Sequence, residues 1–84
     1  MDCFYIIGLR LSSRQHNAVK LQEVLTKTGC NIKTRLGLHE TDEKYCSNDG
    51  LIIIQACGTK AEIDDMMAAF NDIEGIRAEL MDLN

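Results

Sequence analysis

His39 and Cys46 carry the side chains in this 84-residue chain best suited to a transition metal. Imidazole and thiolate together favour zinc, nickel or copper, but two ligands fall short of the usual four. A symmetric second chain would have to supply the others. Without a metal, the same two residues read as a histidine at a strand end and a cysteine in a loop. A second group, Ser12, Ser13 and Arg14, stands just before a helical pattern, where unpaired backbone N–H groups and a guanidinium would receive an anion or carboxylate. Asn17 and His16 are close enough to join it. Read without a ligand, this group is an N-cap beside a solvated arginine. Cys57 precedes a second helix start, a position that lowers a thiol pKa, yet no residue stands out as its base. Asp64 and Asp65 are no catalytic pair, because helix neighbours point about 100° apart. With no nucleophile–base pair and no phosphate loop, the chain is expected not to be an enzyme. The residues call for no cofactor beyond a transition metal at His39 and Cys46.

Composition narrows the partners. Nine basic residues against thirteen acidic ones give a formal net charge of -4. With no basic run, nucleic acid is not an expected partner, since neutralising phosphates takes clustered Lys and Arg. No stretch approaches the ~18–20 consecutive apolar residues that a membrane helix needs. Met1-Asp2 is not a basic leader and Phe4–Leu9 is too short for a signal core, so a cytoplasmic location is expected. The four cysteines, Cys3, Cys30, Cys46 and Cys57, are then expected to be free thiols. At this length residues 1–84 form one domain with a thin core, to which oligomerisation would add stability.

The elements that must position these residues are plainest between Gly50 and Gly75. Leu51–Ile54 is a solid aliphatic run after the turn triplet Asn48-Asp49-Gly50, as suits a strand buried on both faces. Thr59 and Glu62 have capping-box spacing. Ile63, Met66, Met67, Phe70 and Ile73 then recur at helical intervals, and Gly75 supplies the stop. Upstream, Cys3–Leu11 reads as a strand with Cys3, Tyr5, Ile7, Leu9 and Leu11 on one face and Phe4, Ile6 and Gly8 on the other. A helix follows, capped by Ser12 or Ser13, with Ala18, Leu21, Val24 or Leu25, and Thr28 inward and Gly29 as its stop. Ile32–His39 alternates, placing Ile32, Thr34, Leu36 and Leu38 on a single side of a half-buried strand. Glu40–Asp49 is a polar loop or an extended arm, and Ile76–Leu83 is a closing strand.

The order strand, helix, strand, strand, helix, strand predicts an α+β, ferredoxin-like βαββαβ sandwich: a four-stranded antiparallel sheet with two helices on one face. Strands one and three, apolar on both faces, belong in the centre. Phe4 and Ile6, with either Leu51 and Ile53 or Ile52 and Ile54, would then lie bare on the face without helices. Such a patch asks for cover. Either a second copy supplies it, making a dimer or tetramer, or Glu40–Asp49 folds back over its own sheet. Phe4, Ile6, Leu51 and Ile53 are assigned to an oligomer interface.

Gly37 within TRLGLHE, the long polar loop, GLIIIQACG, TKAEIDDMMAAFNDIEG and IRAELMDL resemble small proteins of the iron-only hydrogenase system regulator family, over nearly the whole chain. These look like free-standing ACT-like domains, related in fold to the ligand-binding C-terminal domain of the nickel-responsive repressor. The resemblance implies a regulatory or small-ligand-sensing module that assembles through its sheets, with a ligand such as an amino acid. Amino-acid-binding ACT domains usually carry an acidic residue and a glycine before the first helix, where this chain has Leu11-Ser12-Ser13-Arg14. Against the nickel repressor's several histidines and one cysteine, this chain offers His39 and Cys46. The expectation is a non-catalytic, homo-oligomeric regulatory or small-ligand-binding ACT-like domain. The alternatives are a transition-metal sensor and a structural protein–protein adaptor.

Overall fold

A computed structural model describes residues 2–12, 17–39 and 50–84. Its elements are β1 (Asp2–Leu11), α1 (Ala18–Lys27), a 3-10 turn (Gly29–Asn31), β2 (Ile32–His39), β3 (Gly50–Gly58), α2 (Lys60–Asn71) and β4 (Ile76–Asp82). The strands pair antiparallel in the order β2-β3-β1-β4, so the two runs that are apolar on both faces lie in the centre. This is the ferredoxin-like α+β arrangement. The expected Glu40–Asp49 loop or arm lies outside the described residues. Among those described, no helix is long and apolar enough to cross a membrane.

One face of the sheet and the inner faces of the two helices make the core. Tyr5, Ile7, Leu9 and Leu11 of β1 and Ile54 and Ala56 of β3 are buried there. Leu21 and Leu25 of α1, with Ile63, Met66 and Phe70 of α2 and Ile73 beyond it, cover them. Burying the apolar face of α2 contributes roughly 8–15 kcal/mol gross, before the entropy of ordering it. At its other end, the Asn71 amide donates to the Ala78 carbonyl at 3.3 Å and its oxygen accepts the Ala78 N–H at 2.9 Å, fastening the helix to edge strand β4. Gly75, at φ 83°, makes the turn between them.

The start of α2 is held as its sequence predicts. The Thr59 hydroxyl accepts the Glu62 N–H at 3.2 Å, and the Glu62 carboxylate accepts the Thr59 N–H at 3.0 Å. Asn31 adds a second donor to the Glu62 carboxylate at 3.1 Å while also donating to the Cys57 carbonyl at 2.9 Å. These bonds, the Thr59 backbone N–H first, hold the Glu62 carboxyl below its usual range. A carboxyl depressed in the folded state contributes stability that is complete above the ordinary glutamate value and is lost as pH falls through the folded value. Glu62→Gln keeps an acceptor in the box but cannot titrate. Its urea midpoint is therefore expected to fall less than the wild type's between about pH 6 and pH 3, as followed by circular dichroism.

Gly58 sits at φ 156°, a conformation L side chains rarely adopt, and a Cβ there would meet Asn31 Nδ2 at 2.8 Å. Gly58→Ala must push Asn31 off both of its acceptors. A cost of ~1–3 kcal/mol is expected, read as a lower urea midpoint with an unchanged m-value.

Three sequence expectations are corrected. Helix α1 is capped by Asn17, not by Ser12 or Ser13: its side chain accepts the Lys20 N–H at 3.0 Å and the helix begins at Ala18. Asparagine is as good an N-cap as serine, and starting here buries Leu21 and Leu25 while leaving Ala18 exposed. Cys3 and Cys57 are joined as a disulfide rather than free, whereas Cys30 is a free, exposed thiol. The cause is a register shift between Asp2 and Tyr5, which sets Cys3 across from Cys57 on the neighbouring strand. Third, β2 does not keep Ile32, Thr34, Leu36 and Leu38 on a single face. Its register slips between Ile32, opposite Ala56, and Thr34, opposite Gln55. An irregularity of this kind reverses the alternation beyond it, so Ile32 packs on the core while Leu36 shares the face of Ile53.

Candidate functional site

That slip adds to the sheet face that the helices leave uncovered. Phe4, Ile6, Gly8 and Arg10 of β1 alternate with the buried core residues and point away from the helices. In β3, Ile54 and Ala56 are buried in the core and Ile52 packs against it, so Leu51 and Ile53 take the open face. Phe4 is 57% exposed and Leu51 41%, while Ile6 and Ile53 are half-buried. Leu36 joins from β2 at 52% and Met81, opposite Ile6, from β4 at 58%. Leu83, whose N–H donates to the Phe4 carbonyl at 2.9 Å, extends the same row.

Phe4, Leu36, Leu51, Met81 and Leu83 together leave on the order of 500 Å² of apolar side chain bare, near the top of the ~300–600 Å² range for the largest patch on a typical monomer. Gly8 lies in the middle of the face, opposite both Ile53 and Glu79, and a Cβ there would meet nothing within 4 Å. The face therefore has a shallow notch at its centre. The sequence reading found Phe4, Ile6, Leu51 and Ile53 from β1 and β3 but missed the contributions of Leu36, Met81 and Leu83. Alternation in Ile76–Leu83 could have placed Met81; nothing in Ile32–His39 marks the slip that turns Leu36 over.

The two ends of this face differ. One carries Phe4, next in sequence to the Cys3–Cys57 disulfide. At the other, Arg10 and Arg77 stand directly opposite each other across β1 and β4. They line a depression of about 380 Å³ with Ser12, Gly75 and Ile76. Arg77 donates to Glu79 at 3.1 Å. The Ser12 N–H donates to the Gly75 carbonyl at 2.8 Å, so the end of β1 is tied to the turn before β4. A second hollow, about 450 Å³, lies on the helix side between Val24, Lys27, Met66 and Asp65.

The expected ligand group is thus divided. Ser12 lines the depression with the two arginines, while the Asn17 side chain is spent capping α1. Ser13 and Arg14 lie outside the described residues. So does Cys46, and of the expected metal pair the structure describes only the His39 backbone, paired with Gly50 at the end of β2. Among the described residues, no group of three or more His, Cys, Asp or Glu is placed to hold a metal ion. Asp72 pairs with Lys20 at 3.7 Å, an exposed ion pair worth little.

The architecture makes this a small ferredoxin-like domain with one sheet face against helices and one bare. No protein-family model matches the sequence, and no curated protein does. Among solved structures, the chain is similar to the uncharacterized protein TM1266 from Thermotoga maritima, with a TM-score of 0.82, 21% identity and 98% of each chain covered. That likeness supports the fold. A second structure, CPII bound to ADP, AMP and acetate from Thiomonas intermedia K12, matches at a TM-score of only 0.38 and 11% identity, covering 100% of this chain and 93% of that one.

Proposed function

We propose that the protein is a non-catalytic, ACT-like regulatory or small-ligand-binding domain that works as a homo-oligomer stacked through the open face of its sheet. The observation that carries this reading is the bare apolar face spanning all four strands, from Leu36 through Leu51 and Phe4 to Met81. A second copy covers such a face by symmetry, and each copy's patch then becomes the other's core. The sequence resemblance to iron-only hydrogenase system regulators supports the regulatory half. A ligand would act by binding one arrangement of the assembly better than another.

The experiment is thermal unfolding at several protein concentrations, with and without a panel of amino acids and other small metabolites. Melting that is coupled to dissociation makes the midpoint rise with protein concentration, and a ligand specific for the folded assembly raises it further. A midpoint independent of concentration would count against the oligomer, and a panel without effect would count against the sensor.

A further inference from the structure

We propose that Arg10 and Arg77 form a binding site for a small oxyanion, the phosphate or carboxylate group of a metabolite, at the charged end of the open sheet face. Directly opposed like charges destabilise a pair of strands unless something neutralises them. Here the opposed residues are both arginines, in a chain whose net charge is -4. Glu79 answers Arg77 at 3.1 Å, and Arg10 has no ion pair among the described residues. Among the described residues, these three groups sum to one net positive charge. An oxyanion bridging the two guanidiniums would balance that charge, and guanidinium forks suit carboxylate and phosphate geometry.

The space is there as well. The depression of about 380 Å³ between Arg10, Ser12, Gly75, Ile76 and Arg77 is open to solvent and has room for a small oxyanion. Its backbone is fixed rather than loose: Ser12 is bonded to Gly75 at 2.8 Å, and the Ile76 N–H to Ile73 at 3.1 Å. This inference deepens the ligand-binding half of the proposed function by naming a ligand class. It does not rest on the oligomer.

The test is a pair of nuclear magnetic resonance titrations of the full chain, one with inorganic phosphate and one with acetate, at ionic strength held constant with chloride. Saturable shifts are expected at the Arg10 and Arg77 side chains and at the Ser12, Gly75 and Ile76 amides. The anion with the tighter saturation identifies the chemical source. Arg10→Gln is expected to weaken binding at least fivefold, and Glu79→Gln, which removes the competing carboxylate, to strengthen it at least twofold. Shifts that stay linear in both anions, or a saturable response unchanged in Arg10→Gln, would overturn the proposal. Measuring particle mass on the same samples separates the outcomes. An oligomer that ignores both anions removes this inference alone, and a monomer that binds them removes only the oligomer.

Discussion

Phe70→Ala is expected to cost the fold about 3–5 kcal/mol, a large share of its stability, and to lower its urea midpoint steeply. Phe70 is fully buried where α2 meets the sheet, among Ile7, Leu9, Ile54 and Ile63, which are equally closed to solvent. Removing a buried phenylalanine costs ~3–5 kcal/mol through lost transfer energy and the cavity left behind. A domain of 84 residues has ~4–12 kcal/mol in total. The helix would keep its capping box and still lose the contact that holds it to the sheet. Urea unfolding followed by far-ultraviolet circular dichroism should show a midpoint far below the wild type's with a similar m-value. Phe70→Leu, which keeps much of the volume, should remain folded with a loss of ~1–2 kcal/mol. A well-folded Phe70→Ala with a near-native urea midpoint would mean that α2 is not anchored where the core places it.

Leu36→Glu combined with Met81→Glu is expected to do the opposite, leaving the fold and abolishing the assembly. Both side chains are more than half exposed on the open face, so charging them removes little from the core of a single chain. In a stacked pair of sheets each would bring a carboxylate into an apolar interface without a partner, a change that weakens association on the order of 100-fold. The matched control is Gln22→Glu with Thr26→Glu, which adds the same charge to exposed positions of α1. The control should retain the wild-type particle mass. If both pairs behave alike, net charge rather than the open face governs association.

How much of this was legible depends on the range of the interaction. The capping box is local, with both partners three residues apart, and Thr59 and Glu62 announced it. The sheet order followed from burial: only β1 and β3 are apolar on both faces. By contrast, the slip between Ile32 and Thr34 depends on how β2 meets β3, and no glycine or proline marks it. Its effect was to move Leu36 from an expected core role to the open face. The Cys3–Cys57 bond has the same origin in strand register, across 54 residues of sequence. Arg10 and Arg77 stand far apart in sequence, and only the pairing of the first strand with the last sets them side by side. At α1 the misreading was among near-equals, since Ser12, Ser13 and Asn17 are all good caps and burial of Leu21 and Leu25 decided the start.

A second copy is expected to cover the open face. Sedimentation of the untagged protein across a range of concentrations tests it most directly. The predicted result is a particle of two or four chains that the Leu36→Glu, Met81→Glu variant reduces to one chain with its circular dichroism unchanged. A folded wild-type protein that sediments as a single chain at every concentration would contradict it.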